Sequence, residues 1–167
     1  VTVTFTIPQQ PRGKSRHATV VTLRCGKCQR QTVGQRSECP HCGNKDLYFM
    51  YSHEYTDKDQ REYERFAAMC AQQGMQGHEK FVGPVWMHCD FYFEIPKSRI
   101  KKLKDGDWHT QRPDTDNCLK STDAFMGLCF ADDAIVSKVS GEKHWTTGAP
   151  RTEVRIESLD TVSTNGA

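Results

Sequence analysis

The chain has 167 residues, 36% of them hydrophobic, with 23 Lys and Arg against 21 Asp and Glu for a net charge of +2. These values exclude a largely disordered chain and a uniformly basic one, and suit one domain over residues 1–167 with an ordinary core. No apolar run approaches the roughly 18–20 residues that a membrane span needs, so a cytoplasmic protein with no membrane partner is expected.

Charge is unevenly placed. Residues 1–45 hold eight Lys and Arg against one acid, Glu38, which leaves 15 basic and 20 acidic residues in the rest of the chain. Such segregation fits a surface that grips phosphates beside a site whose acids hold cations. Chance segregation is the plainer alternative.

In chain order, "VTVTFTI" alternates Val1, Val3, Phe5 and Ile7 with threonines, as a half-buried strand does and a signal peptide does not. Pro8 and Pro11 bracket a turn into the basic loop "RGKSRHA". "TVVTLR" and "DLYFMYSHEY" read as strands on either side of a cysteine segment, which places residues 24–46 as an insertion at the tip of a hairpin. "DKDQREYERFAAMCAQQG" changes to helical period, with Tyr63, Phe66, Ala67 and Cys70 on one face. "GPVWMHCDFYFEIP" alternates again, and "KSRIKKLKDGDWHT" is a basic connector. A single helix is expected from about Asp116 to Leu128, then strands in "ADDAIVSKVSGEKHW" and "TEVRIESL", then a frayed tail, "DTVSTNGA". The order β-β-β-α-β-α-β-β predicts an α+β (mixed α/β) fold, a mixed sheet covered by two helices.

Cys25-x2-Cys28 and Cys39-x2-Cys42 stand ten residues apart in turn-like settings. Two such knuckles bring four thiolates tetrahedrally onto one Zn²⁺ and leave no open position, so the metal is structural. Redox use would need only one pair, and His41 is a bystander. Cys70, Cys89, Cys118 and Cys129 are scattered and read as reduced core residues. Lys27, Arg30, Arg36 and Lys45 admit two readings: contacts to nucleic acid, or a solvated protrusion or dimer contact.

The stretch "RPDTDNCLKSTD" (112–123) raises the question of chemistry. In an extended approach Asp114 and Asp116 point to one side. If Asp116 opens a helix, Lys120 and Asp123 follow at i+4 and i+7 on its face, while Cys118, Leu119, Thr122, Phe125, Met126 and Cys129 form the buried stripe. A second pair, Asp132 and Asp133, comes after the helix, which could return it to the cluster. Carboxylates so gathered hold Mg²⁺ through hard oxygen ligands, with Mn²⁺ as a substitute. Such a metal stabilises charge on a phosphate, and a lysine adds a point charge. The plainer alternative is a solvated helix start, since Asp and Asn favour N-caps.

"RPDTDNCLKSTDAFMG", "FADDAIV", "SGEKHW" and "TEVRIESL" together resemble the RusA-type Holliday junction resolvases, and the likeness extends to "FYFEIPKS", "YTDKDQREYE" and "FTIPQQPRGKSR". The cysteine insertion is the main departure. The resemblance implies an active site of Asp114, Asp116, Asp133 and Lys120, supported by Asp123 and Asp132. It also implies a homodimer with two active sites that nick opposing strands of branched DNA. Lys143, Lys14 and Arg16 match basic family positions. Arg12, Lys97, Arg99, Lys101, Lys102 and Lys104 are expected to join them in positioning the phosphate backbone.

A Mg²⁺-dependent resolvase of four-way junctions, acting in recombination and repair in a bacterial or phage-infected cell, is therefore the leading expectation. A non-catalytic zinc-ribbon DNA-binding protein is the first alternative, and a nuclease preferring flaps or forks is the second.

Overall fold

The computed structural model describes residues 1–14, 18–55 and 57–159. Arg16, one of the expected phosphate contacts, and the 160–167 tail lie outside them. In chain order the elements are β1 (Thr2–Ile7), β2 (Ala18–Cys25), β3 (Gln31–Val33), β4 (Leu47–Tyr55), α1 (Lys58–Gly74), β5 (Val85–Glu94), α2 (Thr115–Lys120), α3 (Asp123–Cys129), β6 (Val136–Thr146) and β7 (Arg151–Ser158). The chain divides into two compact units, residues 1–14 with 59–167, and residues 15–58.

The larger unit is built on a mixed sheet in the order β1-β7-β5-β6. β7 pairs antiparallel with both β1 and β5, while β6 lies parallel to β5, from Val85↔Val136 to Glu94↔Thr146. A parallel neighbour needs a crossover, and α2 and α3 supply it. The strict alternation of β5 turns Val85, Met87, Cys89, Phe91 and Phe93 inward. Val3, Phe5 and Ile7 of β1 and Val154 and Ile156 of β7 join them. Tyr63, Ala67, Cys70 and Ala71 of α1 and Phe125 and Cys129 of α3 close this core. Phe125 meets Phe5 edge to face, with ring centroids 5.2 Å apart. Gly74 ends α1 where a Cβ would lie 2.6 Å from that of Phe5, so the close approach requires glycine there.

The expected single helix is two. Ser121 and Thr122 interrupt it: their hydroxyls donate to the carbonyls of Cys118 and Leu119, 2.6 Å in each case. Their backbone N–H groups bond the same i−3 carbonyls. This tightened turn competes with the regular helical ladder.

The smaller unit is an antiparallel sheet in the order β3-β2-β4. β2 and β4 pair along their length, from Ala18↔Tyr55 to Cys25↔Leu47, and the cysteine segment with β3 lies between them. The unit is wider than the 24–46 segment singled out by cysteine spacing, because β2 and β4 pair with each other rather than with the four-stranded sheet. No helix among the described residues is long and apolar enough to cross a membrane.

Phe125 is 1% exposed. Phe125→Ala is expected to destabilise the larger unit by about 3–5 kcal/mol, read as a lower urea midpoint of its unfolding transition with an unchanged slope.

Candidate active site and metal centre

Asp114 is the N-cap of α2, with extended φ −71° and ψ 155°, and its carbonyl accepts from Cys118 N–H at 3.0 Å. Its carboxylate makes no capping bond and stays exposed. Asp116, in the first turn, is also exposed and accepts from Lys120 Nζ at 3.0 Å. That hydrogen bond, with the lysine's charge, holds the Asp116 carboxyl below its usual range. The opposite face is apolar: Cys118 is buried, and burial pushes its thiol up to about 11. Leu119 packs against Gly141 of β6, where a Cβ would lie 3.1 Å from Leu119 Cδ2. The three residues expected at the catalytic signature, Asp114, Asp116 and Lys120, thus share the start of α2.

The approach to this helix is held from both sides. Lys143 of β6 donates through Nζ to the carbonyls of Gln111, at 2.8 Å, and Pro113, at 2.6 Å. Lys14 N–H donates to Asn117 O at 3.0 Å, and Lys14 Nζ pairs with Asp123 at 2.6 Å. Gly13 fits beneath Pro113, whose Cβ would lie 2.7 Å from a Cβ added to the glycine. Lys14 and Lys143, expected as phosphate contacts, therefore have their ammonium groups engaged in fixing the site. Arg12 pairs at 3.6 Å with Asp59 at the surface. Lys97, Arg99, Lys101, Lys102 and Lys104 are exposed in and after a short 3-10 turn, Lys97–Arg99.

Asp132 and Asp133 lie elsewhere. After α3 the chain is stitched to Phe81 by Phe81 N–H to Cys129 O and Ala131 N–H to Phe81 O, 2.9 Å each. Asp132 then caps the turn Asp133–Ile135 by accepting from Ala134 N–H at 2.9 Å. Asp133 is exposed just before β6 begins at Val136. Pro113 is held by Lys143, seven residues along the same strand, and that length spans roughly 23 Å. Within one chain, α2 and α3 carry Asp133 away from Asp114 and Asp116 rather than back to them. Accordingly these three acids are not among the described groups whose ligand atoms all lie within 4.8 Å. By donor type, Asp114 and Asp116 suit a hard divalent cation.

The four thiols do converge: Cys25, Cys28, Cys39 and Cys42 have their sulfurs within 4.8 Å of one another. Cys25 and Cys42 are 3.6 Å apart, as are Cys28 and Cys39, and all eight cysteines are free. Zn–S bonds of about 2.3 Å set tetrahedral edges of about 3.8 Å, so the spacing fits Zn²⁺. Each knuckle repeats one pattern: Gln29 N–H bonds Cys25 O, and Gly43 N–H bonds Cys39 O. Gln29 (φ 58°) and Gly43 (φ 69°) take the positive φ this turn needs. Cys28 N–H, first among several donors, lowers the Cys25 thiol to about 6. Cys28 goes up to about 11: the Arg30 N–H pulls it down, but burial and the neighbouring thiols outweigh it. His41 is exposed.

Asp90, Glu142 and His144 form a second group with ligand atoms within 4.8 Å. Neither composition nor spacing marked it; it exists because parallel pairing sets Asp90 opposite Glu142. The one available signal was the polar face of "WMHCDFYFE".

A family model described as endodeoxyribonuclease RusA matches residues 41–157. The span takes in α1, α2, α3 and three strands of the main sheet, and leaves out β1, the Lys14 loop and three of the four clustered cysteines. No curated protein matches the chain.

Lys120→Ala is expected to let the Asp116 carboxyl rise toward the ordinary value of about 3.9, read by NMR titration of the side-chain carbonyl. A depressed carboxyl adds stability above its unfolded pKa that is lost as pH falls through the folded value. With both side chains mostly exposed, solvent screens the pair, so the stability of Lys120→Ala should barely change.

Proposed function

Because the chain belongs to the endodeoxyribonuclease RusA family, we propose that it is a Mg²⁺-dependent enzyme that resolves four-way DNA by paired nicks. The observation that carries this reading is the exposed pair Asp114 and Asp116, fixed at the start of α2 with Lys120 one turn on. Carboxylates in this position normally serve as caps, yet Asp114 makes no capping bond. Lys14 and Lys143 spend their ammonium groups on holding the segment in place.

Asp114 and Asp116 are the ligands that one chain offers, and Asp133 completes the set from a second copy. The separation of Asp133 along β6 favours that arrangement, and two chains related by a twofold axis then form two equivalent sites. Mg²⁺, or Mn²⁺ in its place, supplies charge neutralisation at the scissile phosphate and acidifies water. Lys120 balances Asp116 when no cation is present, and turns to the phosphate's growing negative charge when one is. Arg12, Lys97, Arg99, Lys101 and Lys102 hold the backbone of the DNA arms by charge, without reading sequence. Asp123 and Asp132 support the site, the first by pairing Lys14 and the second by capping the turn that presents Asp133. Cys25, Cys28, Cys39 and Cys42 hold structural Zn²⁺. Branched DNA of this kind arises in recombination and repair, in a bacterial or phage-infected cell.

Asp116→Asn is expected to abolish nicking of a synthetic four-way junction in Mg²⁺ while leaving its binding within a few-fold of wild type. Full activity of the variant would remove Asp116 from the site. Binding without cleavage by the unmodified chain would assign a non-catalytic role, and faster cutting of flaps or forks would assign the other substrate class.

A further inference from the structure

The cysteine unit has a surface that holding zinc does not require. Pairing of β2 with β3 and β4 sets Gln31, Arg24 and Tyr48 in one row across the three strands, then Thr32, Leu23 and Phe49, then Val33, Thr22 and Tyr51. Met50 is the extra residue between the last two rows, because the register shifts between Thr22 and Leu23. The two tyrosines, three residues apart in sequence, therefore occupy the same face. Tyr48 is 56% exposed and Tyr51 50%, while Thr22 is buried beneath.

Tyr48 is held in place. Its ring lies over Gly26 of the first knuckle, where a Cβ would come within 2.9 Å of Cε2. Its hydroxyl donates to Asp46 Oδ2 at 2.9 Å, which raises its pKa. A ring fixed at its edge has little rotamer freedom left to lose on binding. Arg24 stands beside it, its Nε buried with no hydrogen-bond partner among the described residues. Lys27 and Arg30 lie in the link from β2 to β3, at the end of the sheet that carries Tyr48.

We propose that this face is a stacking platform for unpaired nucleotides, with Tyr48 and Tyr51 taking bases and Arg24, Lys27 and Arg30 meeting the phosphates. Bases present π-faces to aromatic rings whatever their sequence, and cations alongside track the backbone. An apolar protein partner fits less well, because Arg24, Lys27 and Arg30 flank the exposed tyrosines. Identifying the occupant as the unpaired strand of a branched DNA rests on the nuclease reading above. The stacking chemistry itself does not.

The test uses the full-length, zinc-loaded protein without Mg²⁺, at fixed salt, with fluorescent (dT)12 as the probe. A second probe has the same phosphates with abasic sites at alternate positions. The wild-type chain should bind (dT)12 about tenfold or more tightly than the abasic strand. Tyr48→Ala with Tyr51→Ala should lose roughly ten- to a hundredfold for (dT)12 and erase the preference between probes. Equal wild-type affinity for both probes would overturn the platform and needs no variant. So would unchanged affinity in the double variant with its zinc retained. A change of oligomeric state in that variant, with (dT)12 affinity intact, would give the face to a second copy instead. If the protein never nicks a four-way junction but discriminates the probes through its tyrosines, the nuclease reading falls and the platform stands.

Discussion

One ammonium group holds the segment on which the proposed chemistry depends. Lys143 reaches from β6 to the carbonyls of Gln111 and Pro113, bonds of a charged donor that contribute roughly 1.5–3 kcal/mol each. With them it fixes the turn that delivers Asp114 and Asp116 to the first residues of α2. The strand that carries it is itself secured by parallel pairing with β5, the most buried strand of the sheet. Gly141, two residues before Lys143, lets Leu119 pack against β6. Sheet, helix and turn thus meet at one short stretch of β6, and the exposed acids inherit its rigidity.

The same geometry keeps Asp133 apart from the start of α2. A parallel crossover returns the chain to the beginning of its neighbour, so the residues that precede β6 lie at the opposite end of the strand from Lys143. Asp133 is one of them. On the proposed reading, a set of three carboxylates around one cation takes its members from two chains, and a twofold axis makes two such sets at once. That pairing suits a substrate with two equivalent strands to cut. The requirement follows from strand direction, and no local adjustment of the Asp132–Asp133 turn would span roughly 20 Å.

Much of this could be read in the residues. The alternation in "VWMHCDFYFE" marks a strand with one buried face, and Val85 through Phe93 bear it out in the core. The two Cys-x2-Cys pairs announce a thiolate cluster because ligand spacing is local. What depended on long-range pairing stayed hidden. Ser121 and Thr122 looked like interior helix positions until their hydroxyls proved to bond i−3 carbonyls. Lys143 looked like one more basic residue, since nothing nearby in sequence marks the carbonyls it holds 30 and 32 positions away. Asp133 seemed to return to Asp116 because counting residues along a helix says nothing about the direction of the next strand.

Co-expression of Asp116→Asn and Asp133→Asn chains with different tags, followed by purification of the mixed dimer, tests the two-chain site most directly. Each variant alone should leave a four-way junction uncut in Mg²⁺. In the mixed dimer one site collects both substitutions and the other none, so nicking of one strand should return. A mixed dimer as inactive as its parents would place all three carboxylates within one chain and contradict the two-chain site.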